Sequence, residues 1–183
     1  MFIAFFKMKK ILFILLTFVF FSSYKVVLPD QSEEANAHVK AIYIYNFTKY
    51  IEWPQDYKDG NFVVGVMGTN TALLNELTKM ASSKTVGSQK IEIQTVLSAV
   101  DVPKCNIIYI LSDNSAQLAD VAGKLKGKST LIVTDKPGMA KLGSAINFVI
   151  FENKQKIELN KANIDKYKLK VASTLVEMAI QIK

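Results

Sequence analysis

Three short apolar runs constrain this chain more than anything else in it. Phe62–Met67, Asn106–Leu111 and Thr130–Thr134 are dominated by aliphatic side chains. Continuous apolar strands suit a sheet that is covered on both faces. Between them the periodicity changes. Leu73, Leu74, Leu77 and Met80 mark one face of a helix over about 71–82, and Leu118, Val121 and Leu125 do so for one over about 115–125, capped by Asp113-Asn114-Ser115. Ile91–Val96 alternates like a strand with one polar face, and 97–103 reads as a connector with at most one helical turn. The order β-α-β-β-α-β through residue 134 predicts an α/β three-layer sandwich with a mainly parallel central sheet.

Beyond Thr134 the order changes. Ala145–Phe151 and Lys154–Leu159 flank Glu152-Asn153, which predicts a β-hairpin extending one edge of the sheet. Asn160 is placed to cap a short helix. Val171, Leu175, Met178, Ala179 and Ile182 predict a last helix over about 171–182. Lys84–Lys90 reads as a turn.

Gln31–Trp53 predicts a long helix that organises the rest. Val39, Ile42, Tyr43, Phe47, Tyr50 and Ile51 recur every three or four residues and share a face, thickened by Ile44, Tyr45 and Trp53. Glu33 and Glu34 sit at the start, where the helix dipole favours negative charge. Pro54 is the expected stop, because the residue before a proline is pushed out of the α region.

The N-terminus reads as a secretory signal peptide over residues 1–23, leaving a single domain over 24–183. Lys7, Lys9 and Lys10 precede an apolar run from Ile11 to Phe21, which is short for a bilayer span. Met8 competes with Met1 as the start. A retained N-terminal anchor is the alternative.

The net charge is +7, and every one of the 23 basic residues is lysine. Arginine supplies planar, bidentate recognition of phosphates and base edges. Its absence argues against a sequence-reading nucleic-acid binder. The basic excess lies in the C-terminal segment, which either steers the chain to an acidic partner or an anionic membrane surface, or keeps an exposed face soluble. His38 is the only histidine and reads as solvent-facing or a local cap; Cys105 is the only cysteine, expected to be buried. Gly123–Ser129 imitates a phosphate-binding loop, but it leads from helix to strand and its glycine spacing is one short.

One constellation could hold a ligand. In open parallel sheets ligands bind beyond the carboxyl ends of the strands. The loops there carry Thr69 and Asn70, Asp113 and Asn114, and Asp135. Their backbone amides suit an anion, and their carboxylates suit a cation or an amine. The same residues are ordinary turn formers.

The run K-A-x-Y-x-Y-N-F-x-K-x-x-E-W-P, with Lys40, Tyr43, Tyr45, Asn46, Phe47, Lys49, Glu52, Trp53 and Pro54, resembles the opening motif of the YfiR-like family. Further matching pieces follow in order: Gly65–Gly68, Cys105–Ser112, Thr130–Asp135, Ile146–Val149, Glu152-Asn153, Ile157–Asn160 and Leu169–Leu175. The resemblance implies a periplasmic α/β protein, often dimeric, with no cofactor and no catalysis of its own. It implies a partner as well: the sensory domain of an inner-membrane diguanylate cyclase or sensor kinase, whose output the chain represses. A periplasmic small-molecule sensor is the alternative. Two departures matter. Relatives often pair a cysteine in the strand of Cys105 with one in the earlier strand, where this chain has about Gly65. They also often carry arginine in the hairpin, where this chain has Asn147.

Overall fold

The computed structural model describes residues 31–183. The proposed signal peptide lies outside these residues. The aliphatic runs become β2 (Phe62–Met67), β5 (Ile107–Ile110) and β6 (Leu131–Thr134), and they pair in parallel, with Val64 opposite Ile107 and Ile107 opposite Leu131. Every residue of β5 and β6 is buried, as strands covered on both faces must be. On the other side of β2, and parallel to it, runs β4 (Gln89–Val96), whose far edge carries the two-residue β3 (Thr85–Val86). The expected turn at 84–90 is therefore partly a tight hairpin. The predicted parallel core of an α/β fold is what the chain forms.

The hairpin follows. β7 (Ile146–Phe151) runs parallel to β6, and β8 (Lys154–Asn160) returns antiparallel to β7. Glu152 and Asn153 both have positive φ, 50° and 57°, the geometry of a two-residue turn that matches the strand twist. Among the described residues the sheet has eight strands, with β10 (Ile180–Ile182) at its edge, in the order β10-β8-β7-β6-β5-β2-β4-β3, with helices around it.

The first helix, α1 (Gln31–Tyr50), starts where expected but stops before the expected Trp53, and it is turned about its axis. Its buried line is Ala37, Ala41, Ile44 and Phe47, while Ile42 is 47% exposed and Tyr43 and Tyr50 are half-buried. Alanine spacing set the face, and the bulkier aromatics flank it. Nor does Pro54 end the helix. The chain leaves it after Tyr50 because Ile51–Glu52, here β1, pair antiparallel with Lys170–Val171, here β9. Ala172 N donates to Tyr50 O at 2.8 Å, satisfying one of the carbonyls a helix end leaves open.

α2 spans Thr71–Ser83 and is capped by Asn70, whose side chain accepts from Leu73 N. The helix expected over 115–125 starts later. Ser112–Gln117 is a 3-10 turn, and α3 covers only Leu118–Lys124, without a side-chain cap. A four-residue α4 (Met139–Leu142) precedes β7, and Asn160 caps α5 (Lys161–Lys166) as expected. The C-terminal helix over 171–182 does not form. That stretch divides into β9, α6 (Ser173–Met178) and β10 (Ile180–Ile182), which pairs in parallel with Glu158–Asn160. An apolar residue every three or four positions fits a helix, but here the two ends of the stretch are claimed by strand partners.

Candidate functional site

Asp135 follows the last residue of β6, at the carboxyl end of the parallel core. Its side chain is only 10% exposed. Its Oδ2 accepts from Lys40 Nζ at 2.7 Å and from the Tyr109 hydroxyl at 2.9 Å. Lys40 comes from the third turn of α1 and Tyr109 from β5, so three elements meet on one carboxylate oxygen. The Lys40 ammonium also lies 5.9 Å from the Phe148 ring and 6.0 Å from that of Tyr109, within reach of a cation–π attraction. Burial first, and then the neighbouring carboxylate, push the Tyr109 phenol well above its usual range, so it stays a donor. The other oxygen, Oδ1, is buried and has no hydrogen-bond partner among the described residues.

This cluster borders a groove of about 660 Å³. Asn36 and Lys40 of α1 form one bank, Asp135 and Pro137 close one end, and β7 supplies Phe148, Val149, Ile150 and Phe151. Phe148 is fixed from below by Tyr43, edge-on at 5.7 Å, and by Tyr109, also at 5.7 Å. The rim beyond is apolar and wet, with Ile150 62% and Phe151 51% exposed.

The other residues expected on the ligand rim have different duties. Asn70 is used at both ends: its oxygen caps α2, and its nitrogen donates to Glu33 at 2.9 Å. Asn114 fills the crevice between the β2 and β5 ends. A Cβ at Gly68 would stand 2.4 Å from the Asn114 Oδ1, and with φ at 109° that position also demands glycine. Thr69 and Asp113 are exposed. Asp135 is therefore separated from the rest of the expected rim, and its partners are Lys40 and Tyr109. Tyr109 carries no signal in the sequence, since it stands inside a buried strand like any aliphatic.

The remaining motif residues build the scaffold at the far end of α1. Trp53 is buried, meets Phe62 edge-on at 5.0 Å, and its Nε1 donates to Asn106 O at 3.1 Å. The Asn106 side chain accepts from Val63 N and donates to Tyr57 O. Lys49 lies 4.6 Å from the Tyr45 ring, Glu52 is exposed in β1, and Asn46 and Pro54 are half-buried. A second groove, of about 630 Å³, lies beside Trp53, but its buried Asn106 and Gln89 are satisfied internally. His38 is exposed and hydrogen-bonds Glu76 at 2.5 Å; that bond, first among the causes, holds the Glu76 carboxyl below its ordinary range. Cys105 is buried, and burial pushes its thiol up to about 12. A Cβ at Gly65 would meet Ile108 Cδ1 at 2.9 Å and Val96 Cγ2 at 3.3 Å, and none of its three nearest atoms is the Cys105 sulfur. Among the described residues no group of acidic, histidine or cysteine side chains is arranged to hold a metal, and no helix is long and apolar enough to cross a membrane.

A family model described as YfiR/HmsC-like matches residues 37–180, from the buried start of α1 to β10. This chain belongs to the YfiR/HmsC-like family. The match takes in Lys40, Tyr109 and Asp135, so the whole cluster lies inside the YfiR/HmsC-like domain. No curated protein matches the sequence. Two solved structures are similar in fold. One is an ABC domain in complex with L-Trp from Streptococcus pneumoniae: TM-score 0.51, 13% identity, covering 66% of this chain and 55% of that one. The other is a conserved domain protein from Vibrio cholerae O1 biovar El Tor: TM-score 0.54, 13% identity, covering 80% of this chain and 60% of that one. This YfiR/HmsC-like chain thus spans little more than half the length of either. At that identity the likeness is one of fold.

Proposed function

We propose that this chain is a periplasmic, non-catalytic regulator that binds the sensory domain of an inner-membrane signalling protein, a diguanylate cyclase or sensor kinase, and represses its output. The observation that carries the reading is the family match over 37–180. The groove beside Asp135 supports it: its charged groups are held by one another and its rim is exposed and apolar, a surface suited to binding. Repression by such a protein is differential binding, in which the regulator favours the inactive state of its partner. A tenfold drop in output needs about tenfold preference, or about 1.4 kcal/mol. The test is crosslinking in intact cells with the mature chain as bait, alongside cyclic-di-GMP measurement in cells lacking it. Recovery of a membrane cyclase or kinase whose output rises without the chain is the expected result. Recovery of soluble proteins alone, with unchanged signalling, overturns it.

A second reading, a small-molecule sensor, is favoured by one observation, the buried Asp135 oxygen without a donor. It predicts that a metabolite raises the melting temperature, since a ligand of the native state alone stabilises it, and that Asp135→Asn abolishes the rise.

A further inference from the structure

β7 outruns its neighbour. β6 pairs with it only through Ile146 and Asn147, then turns away at Asp135. From Phe148 to Phe151 no strand lies on that side among the described residues. The backbone there points outward at known places. Asn160 N donates to Ala145 O, so that pair is hydrogen-bonded, and bonded and non-bonded pairs alternate along an antiparallel ladder. Ile150, opposite Gln155, therefore falls in a non-bonded pair, with its N–H and C=O directed away from β8. Residues of both β7 faces line that groove, Phe148 and Ile150 from one and Val149 and Phe151 from the other, which is what an uncovered strand edge presents.

Natural edges are usually blunted with charge, proline or a bulge. This one carries four consecutive uncharged apolar residues, two of them more than half exposed. Asp135 lines the groove, and its Oδ1 is buried there without a donor among the described residues. Among the groove's ionisable side chains are one cation, Lys40, and two acids, Asp135 and Glu158, so the balance favours an incoming positive charge.

We propose that the open β7 edge accepts an extended segment of the membrane partner as an added strand, taking the place β6 vacates, with a lysine or arginine of that segment donating to Asp135. Strand addition draws affinity from main-chain hydrogen bonds and specificity from alternate side chains. Four residues of edge, about 13 Å, suit a segment of that length. The proposal rests on the regulator reading for the identity of the partner.

The test places a photocrosslinking residue, p-benzoylphenylalanine, at Phe151 of the full chain in intact cells, and separately at Val100, which is 78% exposed beyond the far end of β4. Expected from position 151 is a crosslink to an inner-membrane signalling protein, on an extended segment containing a basic residue. Ile150→Pro removes the outward N–H and spares the ladder to β8, and it should lower that yield at least tenfold with an unchanged melting temperature. Asp135→Asn should also lower it severalfold. Four results overturn the proposal by itself. These are a crosslink to a second copy or to residues 24–30 of the same chain, an undiminished yield in a folded Ile150→Pro variant, an undiminished yield in Asp135→Asn, and capture of the membrane protein from position 100 but not 151. The last leaves the regulator reading standing. Capture of no membrane protein from either position overturns both.

Discussion

Replacing Lys40 by methionine tests the central cluster. Methionine keeps the length and apolar stem of lysine and deletes the charge. It leaves the Asp135 carboxylate, 10% exposed, with only the Tyr109 hydroxyl at 2.9 Å as donor. Removing one partner of a fully buried ion pair costs about 3–5 kcal/mol, because the other charge stays buried and uncompensated. Lys40 is 20% exposed and Tyr109 remains, so the cost here should be about 2–3 kcal/mol. With a urea slope of about 2 kcal/mol per molar, the midpoint falls by about 1–1.5 M. Asp135→Asn alone should cost less, about 1 kcal/mol, because Tyr109 can still donate and the lysine can reach water. The double variant should recover about 1–2 kcal/mol relative to the sum of the singles. Urea unfolding followed by circular dichroism on the four proteins decides it. A Lys40→Met midpoint within about 0.3 M of the parent, or strictly additive singles, refutes the idea that Lys40 is what keeps a charged Asp135 tolerable in that position.

Gly65→Ala places a methyl group 2.9 Å from Ile108 Cδ1. Overpacking there should cost about 1–2 kcal/mol, visible as a melting temperature lower by about 3–8 °C. The Cys105 thiol, pushed up from 9.0 to about 12 by burial, should resist iodoacetamide at pH 8 until urea unfolds the chain. Because its folded value is raised, the stability it contributes is whole below pH 9 and lost as pH rises towards 12, and Cys105→Ala should flatten that part of the stability curve. Trp53, the only tryptophan, should emit at short wavelength when folded and shift red on unfolding, and Trp53→Phe should cost about 0.5–1.5 kcal/mol, because the Asn106 carbonyl loses one of its two donors and keeps Leu131 N at 2.8 Å.

The parallel core was legible because its strands are buried on both faces and so carry their own signature in Val, Ile and Leu. The hairpin was legible for a similar reason, two apolar runs around Glu152-Asn153. The C-terminal stretch misled because Val171 and Ile180–Ile182 are drawn into strands by Ile51 and by β8, partners 120 and about 22 residues away that no local pattern records. The turn of α1 about its axis has another cause. Periodicity weights large side chains, whereas Ala37 and Ala41 let the helix approach most closely. At the candidate site, Asp135 could be marked from its position after a strand. That Lys40, 95 residues earlier, would reach it could not, and the Tyr109 hydroxyl is invisible in a run of aliphatics.

The small ladder between β1 and β9 has a consequence for how the domain holds itself together. It fastens Ile51 to Val171, and Ala172 to the last carbonyl of α1, so one short clasp closes a ring of nearly the whole domain. Closing a ring that large costs only about 0.6 kcal/mol more than closing one half its size. The clasp is inexpensive in entropy, yet through it the end of the first helix and the last segment share backbone hydrogen bonds. Amide exchange at Ala172 therefore reads out the seating of α1 from the opposite end of the chain. A domain cut short before Lys170 would keep its sheet core but lose the fastening that sets where its first helix ends.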